Sequence, residues 1–282
     1  MSPAIDAKAA PVRTRASVLS NQADGPGRKL LLAIPDWPGS IPGQFVMIGA
    51  GAEGGAPRQD PLLPRPMAVF RDLGSLSKGE GDDPQVELLY RIVGRGTRLL
   101  SEAKPDDVIK IVGPLGRGFP IEESRSLAIL VGGGTGIASL YELAKSLLAA
   151  GKSVLVILGA RSESDLMGRS EFSALEVELI CTTDDGSAGV PGQVTGPLAE
   201  RLTQEGGRAT VYAVGPTPMM KACAEISASN SVVCFVSLEN PMACGFGVCL
   251  GCAAPRAEGG FSLVCRDGPV FEASEIDWEG LP

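Results

Sequence analysis

Near the end of a 282-residue chain, Cys244, Cys249, Cys252 and Cys265 stand in the spacing C-x4-C-x2-C-x12-C. The first three fall within MACGFGVCLGC, Met242 to Cys252, interleaved with Gly245, Gly247 and Gly251. Such a stretch is poor material for a helix or a core strand, so its shape has to come from what its thiolates hold. The spacing matches the plant-type [2Fe–2S] pattern of C-x4-C-x2-C followed by a distant cysteine. Each iron already holds two bridging sulfides and needs two protein ligands, hence four thiolates. The glycines allow positive φ and let backbone N–H groups approach the sulfurs, which tunes the potential. A zinc ion held by the same four thiolates is the competing reading, although zinc ribbons favour paired C-x-x-C knuckles. The following stretch, FSLVCRDGPVFEASEI, predicts a small sheet behind the cysteines: an apolar run, a turn at Asp267-Gly268-Pro269, then a second apolar pair.

The remaining cysteines, Cys181, Cys223 and Cys234, stand singly in apolar surroundings and read as small core residues. Histidine is absent, which removes a histidine dyad and any histidine-ligated metal or haem. Chemistry therefore falls to cysteines, carboxylates, backbone or a bound cofactor. With 33 acidic against 25 basic residues the net charge is −8, which argues against a nucleic-acid or anionic-membrane surface. No apolar run approaches the roughly 20 residues of a membrane span, and the N-terminus lacks an apolar signal core. A cytoplasmic location is the expectation.

The middle third, SLAILVGGGTGIASLYELAKSLLAAGKSVLVILGARS, reads as strand, glycine loop, helix and strand. Leu127 to Val131 is a short apolar run and Gly132, Gly133, Gly134, Thr135 and Gly136 form the loop. Leu140, Leu143, Ala144, Leu147 and Leu148 recur at helical spacing before Val154 to Leu158. This is a βαβ unit with parallel pairing, and its loop is an anion site because unpaired N–H groups and the helix dipole face it. The dinucleotide fingerprint is imperfect: Gly134-x-Gly136 runs on to Ser139, and no acid closes the second strand. Further on, ATVYAVGPTPMMKACAEI gives a strand, a turn at Gly215-Pro216 and a helix, so the parallel sheet spans about 126 to 237.

From about residue 13 to 118 the apolar runs are short and separated by turn residues, as in RKLLLAIP, GQFVMIGA, VELLYRIV and DVIKIVGP. An antiparallel barrel follows, with GTRLLSEAK as its one helical stretch. The segments 50–64 and 72–83 read as polar surface insertions. Arg65, Arg91, Arg95 and Arg98 lie near Gly94 and Gly96 and form either a basic clasp or a solvated face.

Taken in order, PGQFV, RPMA, LYRIVGRGT, GPLGRGF, VGGGTGIA, TTDDGS, VGPTPMMKA, SLENPMACGFGVCLGC and VCRDGPVF resemble the ferredoxin-NADP-reductase-like flavoprotein superfamily. Within it, the resemblance is to electron-transfer subunits of NAD-dependent dihydroorotate dehydrogenases. It implies a multi-domain β plus α/β chain: a Greek-key barrel for FAD (13–120), a doubly wound parallel-sheet domain for NAD(P) (121–236) and a small [2Fe–2S] β-subdomain (237–282). Arg65 would meet the FAD pyrophosphate, with Pro66, Met67 and Ala68 beneath the flavin. Leu89, Tyr90 and Arg91 would flank the flavin, and Gly96-Thr97 would form the phosphate-contacting turn. Ala68 lacks the family's hydroxyl at the flavin edge, and Val214 stands where a cysteine is usual. Arg161-Ser162 in place of an acid leaves NADP open beside NAD. The implied partner is an FMN-containing catalytic subunit, two of each in a heterotetramer, which oxidises dihydroorotate in pyrimidine biosynthesis. The residues by themselves also allow a subunit of another redox complex (a hydrogenase, a sulfide dehydrogenase or a bifurcating transhydrogenase) or a zinc-stabilised nucleotide-binding regulator.

Overall fold

In a computed structural model, which describes residues 10–52, 60–74 and 83–281, short alternating runs in the first third close on themselves. The strands are β1 (Val12–Asp24), β2 (Gly27–Ala33), β3 (Phe45–Ile48), β4 (Arg65–Gly74), β5 (Gln85–Tyr90) and β6 (Val108–Leu115), with helix α1 (Arg95–Ser101) after β5. Among the described residues they form a closed antiparallel barrel in the order β1-β2-β5-β4-β3-β6. Period-2 alternation puts Ala16, Val18, Leu30, Leu32, Val46, Ile48, Val86, Leu88, Ile109 and Ile111 inside, and Leu100 of α1 packs against them. Of the polar insertions expected over 50–64 and 72–83, residues 53–59 and 75–82 lie outside the described residues.

The second lobe is built from β7 (Leu127–Gly133), α2 (Tyr141–Ala149), β8 (Ser153–Ala160), α3 (Arg169–Ser173), β9 (Glu178–Thr183), β10 (Val190–Pro191), α4 (Thr195–Glu205), β11 (Ala209–Val214), α5 (Thr217–Ser229) and β12 (Cys234–Ser237). The chain then passes through β13 (Ala253–Pro255), β14 (Phe261–Leu263), α6 (Val264–Asp267) and β15 (Val270–Glu272). The sheet order is β10-β9-β8-β7-β11-β12-β15, parallel except for β15. Winding reverses between β7 and β11, the topological switch point of a doubly wound sheet. Residues alternate between its faces: Ala128, Leu130, Val156 and Leu158 pack with Leu143 and Leu147 of α2 and Phe172 of α3. Ile129, Val131, Leu155 and Ile157 pack with Leu198 of α4 and Met220 of α5. Burial on both faces is why these strands read as continuous apolar runs. Leu148, placed by periodicity on the apolar face of α2, is instead 36% exposed. Its position lies one residue beyond the stripe that Leu143, Ala144 and Leu147 bury.

The tail differs from its expected layout. Phe261–Leu263 does pair in a two-stranded sheet, but with β13. The second apolar pair, Val270-Phe271, crosses to the nucleotide lobe and pairs antiparallel with β12. An isolated β15 would leave two apolar side chains in water, whereas at the sheet edge Phe271 and Val270 are buried. Among the described residues no helix is long and apolar enough to cross a membrane.

Barrel and nucleotide lobe meet through aromatic and ionic contacts. Tyr141 of α2 packs on Phe70 of β4 (ring centroids 5.1 Å apart) and on Phe172 (5.7 Å), with the Arg71 guanidinium 4.7 Å above the Tyr141 ring. Lys29 of β2 binds Glu171 of α3 and lies 3.2 Å from Asp24. Burial alone would raise the Glu171 pKa, but the Lys29 ammonium and the Ser170 hydroxyl outweigh it and hold the carboxyl below its ordinary 4.5. For Lys29 burial acts downward, and hydrogen bonds to Glu171 and Asp24 carry the pKa above 10.5. The pair is therefore complete between those two values. Its contribution is lost as pH falls through the folded pKa of Glu171, or rises through that of Lys29. Glu171→Gln, which leaves Lys29 with Asp24 as its remaining carboxylate, should lower unfolding free energy by about 2 kcal/mol at pH 7, the worth of a hydrogen bond to a charged group. In urea melts the difference from the unsubstituted protein should shrink as pH falls through the folded pKa of Glu171, which lies below 4.5.

Candidate functional site

Two cavities flank the switch point. The first, about 440 Å³, is lined by Gly133, Gly134, Gly159, Ala160, Thr182 and Pro216 at the C-terminal ends of the parallel strands, with Arg91, Arg161, Asp165 and Asp184. The second, about 450 Å³, lies between barrel and nucleotide lobe, where Arg65, Pro66, Met67, Ala68, Leu89, Tyr90, Arg91 and Thr97 face Thr135, Ala138 and Ser139. Its third wall is the start of the cysteine segment: Ser237, Leu238, Glu239, Asn240 and Met242. Arg91 lines both cavities. The glycine loop divides between them, Gly133 and Gly134 on one side and Thr135 on the other.

The loop itself is not the simple strand-to-helix turn expected. Strand β7 runs through Gly132 and Gly133, a 3-10 turn covers Gly134–Ser139, and the α-helix begins only at Tyr141. Gly134 has φ +56 with open space around it, a backbone requirement. Gly136 is constrained by space: a Cβ there would lie 2.5 Å from the Val214 carbonyl oxygen and 2.9 Å from the Gly215 nitrogen. Gly132, Gly136 and Gly215 line neither cavity. Gly136 and Gly215 are small because β7 and β11 bring their following loops into backbone contact, the Gly133 Cα lying 3.2 Å from the Cβ position at Gly215; at Gly132 the side chain of Ile137, 2.8 Å from the Cβ position, takes the space.

Of the four arginines, Arg65 and Arg91 face the second cavity while Arg95 and Arg98 stand on the solvent side of α1. Arg65 lies directly over Gly96 and donates to the Leu63 carbonyl. Arg95 pairs with Asp60 at 2.9 Å. The Thr97 hydroxyl accepts from Val93 N (3.0 Å) and Gly94 N (3.2 Å), so it shapes the turn ahead of α1. Tyr90 donates its hydroxyl to Asn21 Oδ1 at 3.0 Å, and Asn21 in turn donates to the Leu100 carbonyl at 2.8 Å. That half-buried amide, which ties α1 to the barrel, carried no sequence signal. Glu239 opens onto the second cavity with protein packed closely around it, and that desolvation pushes its carboxyl above the usual carboxylate range. Glu239 stands five residues before Cys244, and no spacing or periodicity marks it.

The cysteines come together in two pairs. Cys252 and Cys265 are buried, their sulfurs 3.2 Å apart. Gly247 N donates to Cys265 Sγ (3.1 Å) and Cys265 N to Cys252 Sγ (3.4 Å). Cys244 is half-buried and Cys249 exposed. Burial acts to raise the Cys244 pKa, but the N–H groups of Cys249, Phe246 and Val248 and the Cys249 thiol outweigh it and hold it at about 6. Burial and the Cys252 thiol push Cys265 up to about 12. Among the described residues no three cysteine or acidic side chains gather around one point as ligands of a single ion. Gly245 has φ +85, and a Cβ on it would collide with Met47 of β3, so the cysteine loop lies directly on the barrel. Cys223 and Cys234 are buried and Cys181 is half-buried, each packed among apolar side chains as a small core residue.

Gly136→Ala should destabilise the fold by more than about 2 kcal/mol, because backbone on both sides of the switch point must move. Gly134→Ala should lose only about 1 kcal/mol, the strain of a left-handed φ. Thermal denaturation of the two variants side by side checks this ordering.

Comparison with known proteins fits this geometry. Residues 130–225 match an oxidoreductase NAD-binding domain, and residues 239–277 match the iron–sulfur cluster binding domain of dihydroorotate dehydrogenase B. The electron transfer subunit of dihydroorotate dehydrogenase B (NAD(+)) from Bacillus caldolyticus is 40% identical over 239 residues, 83% of this chain and 86% of that protein. Its counterpart from Caldanaerobacter subterraneus subsp. tengcongensis is 40% identical over 246 residues, 86% and 90% of the two chains. A chain of the solved NADH-dependent reduced ferredoxin-NADP oxidoreductase superposes with a TM-score of 0.78 at 30% identity, covering 98% of this chain and 92% of that one. With a barrel, a doubly wound sheet and a paired-cysteine loop in one order along the sequence, the chain belongs to the family of dihydroorotate dehydrogenase B electron transfer subunits.

Proposed function

We propose that the chain relays electrons between NAD(H) and an FMN-containing dihydroorotate dehydrogenase catalytic subunit, through FAD in the second cavity and a [2Fe–2S] cluster on the cysteine loop. The observation that carries this reading is the second cavity itself. It is bounded on one side by the glycine loop of the dinucleotide cavity and on another by Met242, two residues before Cys244. Bound there, a flavin would exchange a hydride with the nicotinamide and hand single electrons to the cluster.

The residues suit that division. Arg65, which lines the cavity above Gly96, would meet a pyrophosphate there, with Gly96 leaving room for the guanidinium. Met67, Ala68 and Leu89 supply an apolar floor, and the absence of a hydroxyl at Ala68 leaves Thr135, Ser139, Ser237, Glu239 and Asn240 among the polar groups across the cavity. The pairs Cys244–Cys249 and Cys252–Cys265 suit two irons taking two thiolates each better than one zinc taking four. Gly247 N supplies a donor to the Cys265 sulfur. Around Cys249 the side chains of Phe246, Val248 and Leu250 remain exposed, an apolar surface suited to burial against a partner. A partner complex of two copies of each subunit follows from the family likeness.

A second reading has one observation in its favour. Near-complete coverage of an NADH-dependent ferredoxin-NADP oxidoreductase chain suits the same module serving a bifurcating complex. Steady-state dihydroorotate oxidation with NAD+ separates the two. The isolated chain should reduce artificial acceptors with NADH but leave dihydroorotate untouched, and adding the FMN-containing subunit should restore turnover. Turnover by the chain alone, or none from a stable complex, would overturn the proposal. A colourless protein free of flavin and iron would favour the zinc-stabilised regulator.

Two substitutions test the cofactor sites. Cys249→Ser should lower iron and labile sulfide while FAD remains, because Cys249 lines neither cavity. Arg65→Ala should weaken FAD retention in dialysis by roughly tenfold to a hundredfold, the worth of a charge-assisted contact to phosphate.

A further inference from the structure

A heteroaromatic ring enclosed in the second cavity brings polar ring atoms out of water, and each of them needs a partner there. The floor formed by Pro66, Met67, Ala68 and Leu89 carries no side-chain donor. Opposite it stands the 3-10 turn Gly134–Ser139, which packs against β4 and β5. At the last residue of that turn the dinucleotide fingerprint asks for glycine or alanine, and this chain has Ser139.

Ser139 is 5% exposed and lines the second cavity, and among the described residues its hydroxyl has no hydrogen-bond partner. A buried hydroxyl without a partner costs free energy that alanine would not. Its neighbour in sequence, Ala138, packs in one apolar cluster with Ala68 and Tyr141, so this end of the turn lies by the Ala68 part of the floor. The glycine loop also separates the cavities, with Gly133 and Gly134 on the dinucleotide side and Ser139 on the other. A ring edge that touches this loop is therefore the edge turned toward the nicotinamide. In a flavin that edge carries N5, the atom that takes or gives the hydride. Oxidised, N5 accepts a hydrogen bond; reduced, it carries N–H and donates one. A hydroxyl serves both states, whereas a backbone N–H serves only the first. Thr135, on the same loop, is half-buried and open to water. Ser237 is another buried hydroxyl lining the cavity, also 5% exposed, but it stands at the end of β12 on the wall of the cysteine segment.

We propose that Ser139 is the hydrogen-bond partner of flavin N5, a hydroxyl supplied by the nucleotide lobe where the barrel floor has none. The inference rests on the reading of the second cavity as the flavin site. The analogue 5-deaza-FAD, in which a C–H replaces N5, isolates this contact without any turnover. The full chain and its variants are loaded from an equimolar excess of FAD and 5-deaza-FAD, and the ratio of the two bound flavins is read by chromatography after release. The unsubstituted protein should favour FAD by roughly three- to tenfold, the worth of one hydrogen bond between neutral groups. Ser139→Ala should bring the ratio to about one, since neither flavin then finds a partner. Adding Ala68→Ser to that variant, which returns a hydroxyl from the barrel side, should restore the preference, and Ser237→Ala should keep the parent ratio. Alanine is a residue the fingerprint accepts at this position, so Ser139→Ala should melt with the parent protein. A parent ratio of about one, a preference that survives Ser139→Ala, one abolished by Ser237→Ala instead, or a double variant that stays at one overturns the role of Ser139 at N5. A chain that takes up neither flavin overturns the flavin reading of the cavity along with it.

Discussion

Pairing of β15 with β12, Phe235 with Glu272, Val236 with Phe271 and Ser237 with Val270, closes the excursion of the chain from Leu238 to Pro269. The Leu238 N–H adds a bond to the Pro269 carbonyl at 2.9 Å. Both ends of the cysteine segment are thereby held at the edge of the nucleotide sheet. A segment this rich in glycine has little capacity to order itself, and a hydrogen-bonded stem removes most of the conformations it would otherwise sample. The same stem brings Ser237, Leu238 and Pro269 to the wall of the second cavity, so one strand pairing positions a cavity wall and a metal-ligand loop together.

The barrel contributes to this arrangement through the two faces of β3. Val46 and Ile48 fill the barrel, while Phe45 and Met47 point outward into the cluster formed with Val264, Cys252 and Cys265. Met47 can approach because Gly245 has no side chain. Further along, Arg117 N donates to the Gly268 carbonyl at 2.6 Å, joining the end of β6 to the return of the tail. On the opposite side, Tyr141 between Phe70 and Phe172, with the Lys29–Glu171 pair, holds barrel to nucleotide lobe. The two cavities therefore sit in a frame whose three walls are mutually packed. That suits electron transfer, which asks for fixed distances more than for large motions.

Much of this was legible in order along the chain. Alternating short runs predicted an antiparallel barrel, and continuous apolar runs around a glycine loop predicted a parallel sheet, because side-chain period and burial on one or both faces write themselves into local composition. The cysteine spacing was legible for a different reason: ligand chemistry constrains a short stretch of chain directly. What stayed hidden was non-local. Pairing of Val270-Phe271 with β12 could not be read from a turn at Asp267-Gly268-Pro269, because either partner satisfies an apolar strand. The glycines of the loop all looked alike, yet Gly134 answers to a positive φ and Gly136 to the approach of β11 from far along the sequence. Asn21 and Glu239 are single polar residues whose meaning depends wholly on what surrounds them.

The dinucleotide cavity shows the division most clearly. By itself, the sequence determined the element types, the barrel-then-sheet order, the spacing of the cysteine loop and the absence of an acid after β8, since each depends on residues within a few positions of one another. Only the tertiary structure decided that the turn after β9 lies against that point, that Asp165 gathers two arginines from two lobes, and that the tail returns to the sheet. Those outcomes depend on which parallel strands become neighbours, and strand order is set by how the apolar faces of the whole chain bury together.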